Sequence, residues 1–180
     1  MRRHQSGKYS TNIMRTFIWL TLLAAACYGC GGAEQAADNI NTLAKEWDAA
    51  TMEVTGAVNR IAEAQETVNE TLNRLIETEQ LTGTPEQEQQ ALRENLEAHS
   101  ENLAEYAEQA FEFVNKWQEG AEQLDKLKSG MKTGELPGDT EGQLQSLRDM
   151  ISTGRAKAET WHQAAEEAEA TTDRAQELMQ

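Results

Sequence analysis

The sequence predicts an all-α protein, an elongated antiparallel three-helix bundle or coiled coil in which the chain runs up, down and up again. Large apolar residues recur at heptad spacing over three long segments, which is typical of coiled-coil packing. Two short segments rich in glycine and proline, at residues 83–85 and 134–138, separate them. We expect one domain over residues 38–180, with helices at about 34–82, 85–133 and 140–180.

Residues 1–26 have the character of a secretory signal peptide. They hold four basic residues and no acidic ones, and residues 17–26 form an apolar run that ends in three alanines. This run is about ten residues long, whereas a membrane-spanning helix needs about 20. We therefore expect cleavage rather than a permanent transmembrane anchor. Translation from Met14 would give a more compact leader and is an alternative start.

A cysteine directly follows the alanines. Residues 23–27, LAAAC, resemble the lipobox of bacterial lipoprotein signals, although Ala24 stands where that family usually has leucine. The resemblance covers only residues 14–30. It implies that the cysteine is acylated and becomes the first residue of the mature protein. Cys27 is the expected lipidation site and Cys30, which has glycines on both sides, is the alternative site. Secretion without acylation is the competing interpretation.

The same resemblance implies a location. A lipoprotein of this kind is tethered to a membrane of the cell envelope by its acyl chains, and residues 27–37 would form the modified cysteine and a short tether. In some lipoproteins an aspartate after the cysteine is associated with retention in the inner membrane. Here Tyr28 and Gly31 follow the two cysteines. If the cell has two membranes, we expect the periplasmic face of the outer one.

The expected mature chain is strongly acidic. The leader holds four of the sixteen Lys and Arg residues and none of the 31 Asp and Glu residues, so twelve basic residues remain and the net charge is near −19. Such a surface repels phosphate backbones, which excludes nucleic-acid binding as a function. It also disfavours lying flat on anionic lipid, so membrane attachment would depend on the acyl chains.

The first predicted helix has a large apolar residue at every a position over six consecutive heptads, and mostly small residues at the d positions. The a positions are Ile40, Trp47, Val54, Ile61, Val68 and Leu75, and the d positions are Leu43, Ala50, Ala57, Ala64, Thr71 and Thr78. Small d residues let neighbouring helices approach closely. Gly83 suits a helix C-terminus and Pro85 suits the first position of a new helix, so we expect an antiparallel hairpin.

The core positions of the second and third helices follow the same spacing. In the second helix they are Leu92, Leu96, His99, Leu103, Tyr106, Ala110, Phe113, Trp117, Gly120, Leu124, Leu127 and Met131. In the third they are richer in alanine: Leu144, Leu147, Ile151, Gly154, Ala158, Trp161, Ala165, Ala168, Thr172, Ala175 and Met179. Folding the helices back at the two breaks places Trp47 beside Gly120, with Gly154 or Ile151 in the same layer.

The predicted register also brings three polar residues of the core positions to one level. These are Thr71, His99 and Thr172, one on each helix. We expect them to form a polar layer that fixes the register, as buried polar residues can in coiled coils. Titration of His99 as a pH sensor is the alternative interpretation.

We expect no catalytic, metal or cofactor site. Only one Glu-x-x-His element follows the leader, at Glu159 and His162, whereas di-iron bundles use two such elements with further inward glutamates. The sequence has no glycine-rich phosphate loop, nucleophile elbow or Cys/His cluster. Most carboxylates lie outside the core positions and are interpreted as a solvated surface.

A few apolar residues lie off the core positions. Phe111 is next to Ala107 and Val114 on the second helix, and Ile76 is similarly placed on the first. An exposed apolar patch can mark an interface with a partner protein or with a second copy. The alternative is a wide a/d/e stripe buried under both neighbouring helices. The predicted register puts Trp161 beside both Phe111 and Phe113.

The sequence thus favours a membrane-anchored envelope lipoprotein whose bundle is a structural or interaction module. Its expected partners are the membrane, through the acyl chains, and a protein partner or a second copy. One alternative is a bundle that binds a hydrophobic ligand or acts as a sensor, since an alanine-rich third helix could leave the core loosely filled. Another is a subunit of a larger envelope assembly.

Overall fold

Three helices make up the part of the chain that the computed structural model describes, residues 11–77 and 85–179, with side chains from Glu34 onward. They are α1 (Thr11–Glu77), α2 (Glu86–Thr133) and α3 (Thr140–Leu178), each packed against the other two. No strand occurs in these ranges. The predicted all-α three-helix bundle is confirmed.

The helix ends differ in detail from those predicted. The backbone of α1 is helical from Thr11, because residues 11–37 contain no proline and are rich in alanine and leucine, which favour helix. Glu86 begins α2, since Pro85 has ψ 137° and is the N-cap instead of the first helical residue. The predicted cap Gly83 lies outside the described residues.

The α2–α3 connection is a short capped loop. Gly134 ends α2 with φ 76°, a left-handed conformation that glycine adopts without steric cost. The N–H of Glu135 donates to the carbonyl of Gly130 at 2.9 Å. At the start of α3 the N-cap carboxylate of Asp139 accepts a hydrogen bond from the N–H of Gly142 at 3.3 Å. The chain therefore reverses within the predicted glycine-rich segment.

Hydrogen bonds across the interface show that α1 and α2 are antiparallel. The indole N–H of Trp117 donates to Thr51 Oγ1 at 3.0 Å, and the hydroxyl of Ser100 donates to Asn69 Oδ1 at 2.9 Å. Residue numbers therefore fall along α2 as they rise along α1.

Ion pairs show that α1 and α3 are parallel. The guanidinium of Arg60 makes two bonds to the carboxylate of Glu169, at 2.8 and 3.2 Å, and Arg155 lies 3.2 Å from Glu53. The hydrogen bond with Glu169 raises the pKa of Arg60 above its ordinary value, so this side chain stays charged. In both pairs the residue number on α3 exceeds the residue number on α1 by a similar amount. Residue numbers therefore rise together along the two helices, which run in the same direction.

The core consists of the predicted a and d positions. Every such position with a described side chain is buried, apart from four that are half-buried: His99, Tyr106, Met131 and Met179. Thr71 and Thr172 are the polar residues of this core, each 1 % exposed. Heptad spacing therefore identified the buried face of each helix.

Two glycines make room for tryptophans in the part of the core nearer the α2–α3 loop. A Cβ atom on Gly120 would collide with the indole of Trp47, as predicted. Gly154 instead makes room for the other indole, since a Cβ atom there would lie 2.7 Å from Trp117 Cζ3. Of the two predicted alternatives for the Gly120 layer, the structure therefore favours the level of Ile151. The sulfur of Met150 takes the place beside Gly120, because this long side chain reaches into the layer from just outside the core positions.

Trp47, Trp117 and Trp161 belong to one aromatic cluster. The rings of Trp47 and Trp117 stack with centroids 4.1 Å apart, and Phe113 lies between Trp117 and Trp161 at 5.6 and 6.1 Å. The ammonium of Lys157 lies 5.9 Å from the Phe113 ring and 5.8 Å from the Trp161 ring. The predicted neighbourhood of Trp161 and Phe113 is thus present.

Candidate functional site

The three residues of the predicted polar layer differ in burial and in partners. Thr71 and Thr172 are buried, and the hydroxyl of Thr172 donates to the carbonyl of Ala168 in its own helix at 2.8 Å. His99 is half-buried, and its Nε2 lies 3.1 Å from the hydroxyl oxygen of Thr171, the residue before Thr172. The heptad pattern predicted Thr172 beside His99, and the observed partner of His99 is the adjacent residue, Thr171.

The proton positions in this contact follow from the hydrogen bonds of Thr171. Its hydroxyl donates to the carbonyl of Glu167 at 3.1 Å, so its one proton is used within α3. Nε2 of His99 is then the donor to Thr171 Oγ1. The tautomer with a proton on Nε2 can donate in this way.

Each of the three helix–helix interfaces carries one polar contact near this level, and we call the set the polar belt. It consists of His99–Thr171 between α2 and α3, Ser100–Asn69 between α1 and α2, and Gln176–Thr71 between α1 and α3 at 3.5 Å. Sequence reasoning missed Ser100, Asn69, Thr171 and Gln176 because all four lie outside the a and d positions. The sequence feature that could have identified them is the presence of uncharged polar residues beside the core positions of all three helices at this level.

The predicted apolar patch is largely on the surface. Phe111 is 71 % exposed and Ile76 is 61 % exposed, so burial of these two side chains under neighbouring helices, the alternative expectation, is wrong. Ala107 and Val114 are half-buried beside Phe111. Phe111 accordingly does not lie against Trp161, because the α2 surface that carries it faces away from the aromatic cluster. Met52, 76 % exposed on α1, was not foreseen, although its position opposite the core stripe marks it as a surface residue.

The residues considered for other chemistry are the two cysteines and the pair Glu159 and His162, which lie one turn apart on α3. Cys27 and Cys30, the two candidate lipidation sites, lie outside the range of described side chains. Glu159 is exposed and His162 is half-buried, with an Nδ1 that has no hydrogen-bond partner. Within the described part of the chain, no group of three or more His, Cys, Asp or Glu residues is placed to hold a metal ion.

Comparisons give no external guide to this site. No protein-family model, no curated protein and no solved structure matches the chain. Among the described residues, no helix has a stretch long and apolar enough to cross a bilayer. The functional proposal therefore depends on the residues of this chain alone.

Proposed function

We propose that the protein is a cell-envelope lipoprotein, anchored through acyl chains on Cys27, whose three-helix bundle is a structural and interaction module. The observation that carries this proposal is the segment of residues 17–27, a short apolar run with alanines directly before a cysteine. The basic residues before it and the acidic chain after it fit an exported protein with a positively charged leader.

The bundle supports the structural part of the proposal. With 48 residues, α2 is roughly 70 Å long at 1.5 Å per residue. An anchor at Cys27, in the N-terminal part of α1, would place the α2–α3 loop near the membrane, since the helices alternate in direction. The α1–α2 turn and the end of α3 would then lie farthest from the bilayer. If the cell has two membranes, we propose the periplasmic face of the outer membrane.

The surface supports the interaction part. Phe111 exposes most of a large aromatic side chain to solvent on a bundle that is otherwise rich in exposed glutamate. Isolated exposed apolar residues are ordinary, but a ring with half-buried apolar neighbours on both sides is typical of contact surfaces. The proposal includes no enzymatic activity and no cofactor.

Labelling with a fatty-acid analogue tests the anchor. Cells expressing the tagged full chain would be fed an alkyne-bearing fatty acid, and the captured protein would be compared with Cys27→Ser and with the matched control Cys30→Ser. We expect label in the parent and in C30S, and none in C27S. Label that disappears only in C30S would move the anchor to Cys30. Absence of label from all three proteins would contradict the lipoprotein proposal.

A further inference from the structure

The surface between α1 and α2 lacks charge over a long stretch. Its ends are marked by the Thr51–Trp117 and Asn69–Ser100 hydrogen bonds, and the stretch of α1 between Thr51 and Asn69 is about 27 Å long at 1.5 Å per residue. The residues that flank the core between these bonds, one and four residues after each a position, are uncharged on both helices. They are Thr55, Val58, Ala62 and Gln65 on α1, and Ala104, Ala107, Phe111 and Val114 on α2. We call this surface the neutral groove.

The charged residues of the same segments point elsewhere. Glu53 and Arg60 of α1 pair with Arg155 and Glu169 of α3, on the opposite side of α1. The nearest outer positions that carry charge are exposed glutamates: Glu66 on α1, and Glu101 and Glu108 on α2. The neutral groove is therefore an uncharged strip with one glutamate on its α1 rim and two on its α2 rim, whereas the other outer positions, Met52, Asn59 and Asn115, are uncharged.

Small residues surround the Phe111 ring in the groove. Ala104 is exposed and Ala107 half-buried on the same face of α2. On the α1 side of the groove, Ala62 is exposed. The residues near the Phe111 side chain are therefore small, and the side chains of another helix can pack into the space beside it.

We propose that the neutral groove binds an amphipathic helix of a partner protein, with an apolar stripe flanked by lysine or arginine. The apolar stripe would cover Phe111 and Val114, and the basic flanks would meet the glutamate rims, as in other helix-in-groove interfaces. A second copy of this chain would bring its own glutamates against the same rims, and this repulsion selects a basic partner instead. The inference rests on the interaction part of the proposed function and names the partner class.

Two designed peptides test charge complementarity. Both would carry the same leucine and alanine stripe on a helical backbone, one flanked by lysine and the other by glutamate, and each would carry a fluorescent label. The target is the full chain with Cys27→Ser and Cys30→Ser, which keeps the bundle residues unchanged. Fluorescence anisotropy should show saturable binding of the lysine-flanked peptide and at least about tenfold weaker binding of the glutamate-flanked one.

Surface variants locate the site. Phe111→Glu should weaken binding of the lysine-flanked peptide at least about tenfold, since an exposed central aromatic is the expected anchor. Ala104→Glu should weaken it as well, which guards against an effect of Phe111→Glu on folding. Ala156→Glu is the matched control, because it adds the same charge at an exposed position on α3. This control should leave the affinity unchanged.

Three results would overturn the proposal. They are the absence of saturable binding by the lysine-flanked peptide, equal weakening by F111E and A156E, and a dimer in sedimentation velocity that F111E dissociates, which would put a second copy in the groove. None of these measurements depends on acylation. Failure of the docking proposal is therefore distinguishable from failure of the lipoprotein proposal.

Discussion

Trp47 and Trp117 stack across the α1–α2 interface with their ring centroids 4.1 Å apart and their planes inclined by 23°. Gly120 creates the space for this pair, because a side chain there would occupy the volume of the Trp47 indole. The stacked rings therefore fix how close α1 and α2 approach at this level of the bundle.

Replacing Gly120 by alanine should destabilise the bundle. The new methyl group would overlap Trp47 and lie 2.7 Å from the sulfur of Met150. Overpacking of this kind costs about 1–3 kcal/mol, which outweighs the gain of about 1 kcal/mol in helix propensity. Urea unfolding monitored by circular dichroism measures the net effect.

Gly56→Ala is the matched control for this substitution. It lies in the same helical context but a methyl group there meets no atom within 4 Å. It should stabilise the bundle by about 0.5–1 kcal/mol. Equal stability of the two variants would contradict the packing described around Trp47.

Replacing Thr51 by valine should destabilise the bundle by about 1–3 kcal/mol, because the indole N–H of Trp117 loses its acceptor while remaining in the core. Thr67→Val is the control, since the hydroxyl of Thr67 donates only along its own helix, to the carbonyl of Glu63. The measurement is the free energy of unfolding from urea titration, followed by tryptophan fluorescence. A cost for T67V as large as that for T51V would show that the Trp117 bond is not responsible.

Replacing His99 by leucine should keep or raise the stability of the bundle but allow more than one register of the helices. The hydrogen bonds of the polar belt form in only one register of the helices, whereas a leucine side chain can be buried in several registers. We expect unchanged or higher stability together with doubled amide resonances in NMR spectra. Tyr106→Leu, at the next d position of α2, is the control and should give one set of resonances.

Two results for His99→Leu would contradict a role of His99 in fixing the register. If H99L keeps a single set of resonances and loses stability, the contact of His99 with Thr171 stabilises the fold without selecting a register. Loss of a pH-dependent activity in H99L would instead favour the sensor interpretation.

Enlarging a buried alanine of α3 tests whether the core has spare volume for a ligand. Ala165 is 0 % exposed, and Ala165→Leu should cost about 1–3 kcal/mol of unfolding free energy by overpacking. The control Ala156→Leu is at an exposed position and should have little effect. Tolerance or stabilisation by A165L would mean that the core is loosely filled, which favours the ligand-binding alternative.

Much of the fold was predictable because one physical rule governs it. Apolar residues with a period of 3.5 predict which face of each helix is buried, and the buried positions follow this period from Ile40 to Ala175. The Trp47–Gly120 contact was predictable from the position of the helix break alone. The α3 residue beside Gly120 was less certain, since folding about a break fixes the register only to within about one helical turn. The prediction left Gly154 and Ile151 open, and the structure places Met150, the neighbour of Ile151, beside Gly120.

The candidate surface was less predictable. Periodicity places Phe111 off the core positions, but its exposure depends on how far α1 covers the side of α2, which is a property of the packed helices. His99 stood out as the one histidine at a core position, yet its partner is Thr171, which lies beside the core positions of α3. The lipidation prediction depends on a local motif instead, and remains a prediction.

The most direct test of the central claim is the mass of the mature N-terminal peptide of the protein isolated from its native membrane. We predict a chain that begins at Cys27, with the mass of that cysteine increased by a lipid modification. A chain that retains residues 1–26, or one that begins at Cys27 with a free thiol, would contradict the account.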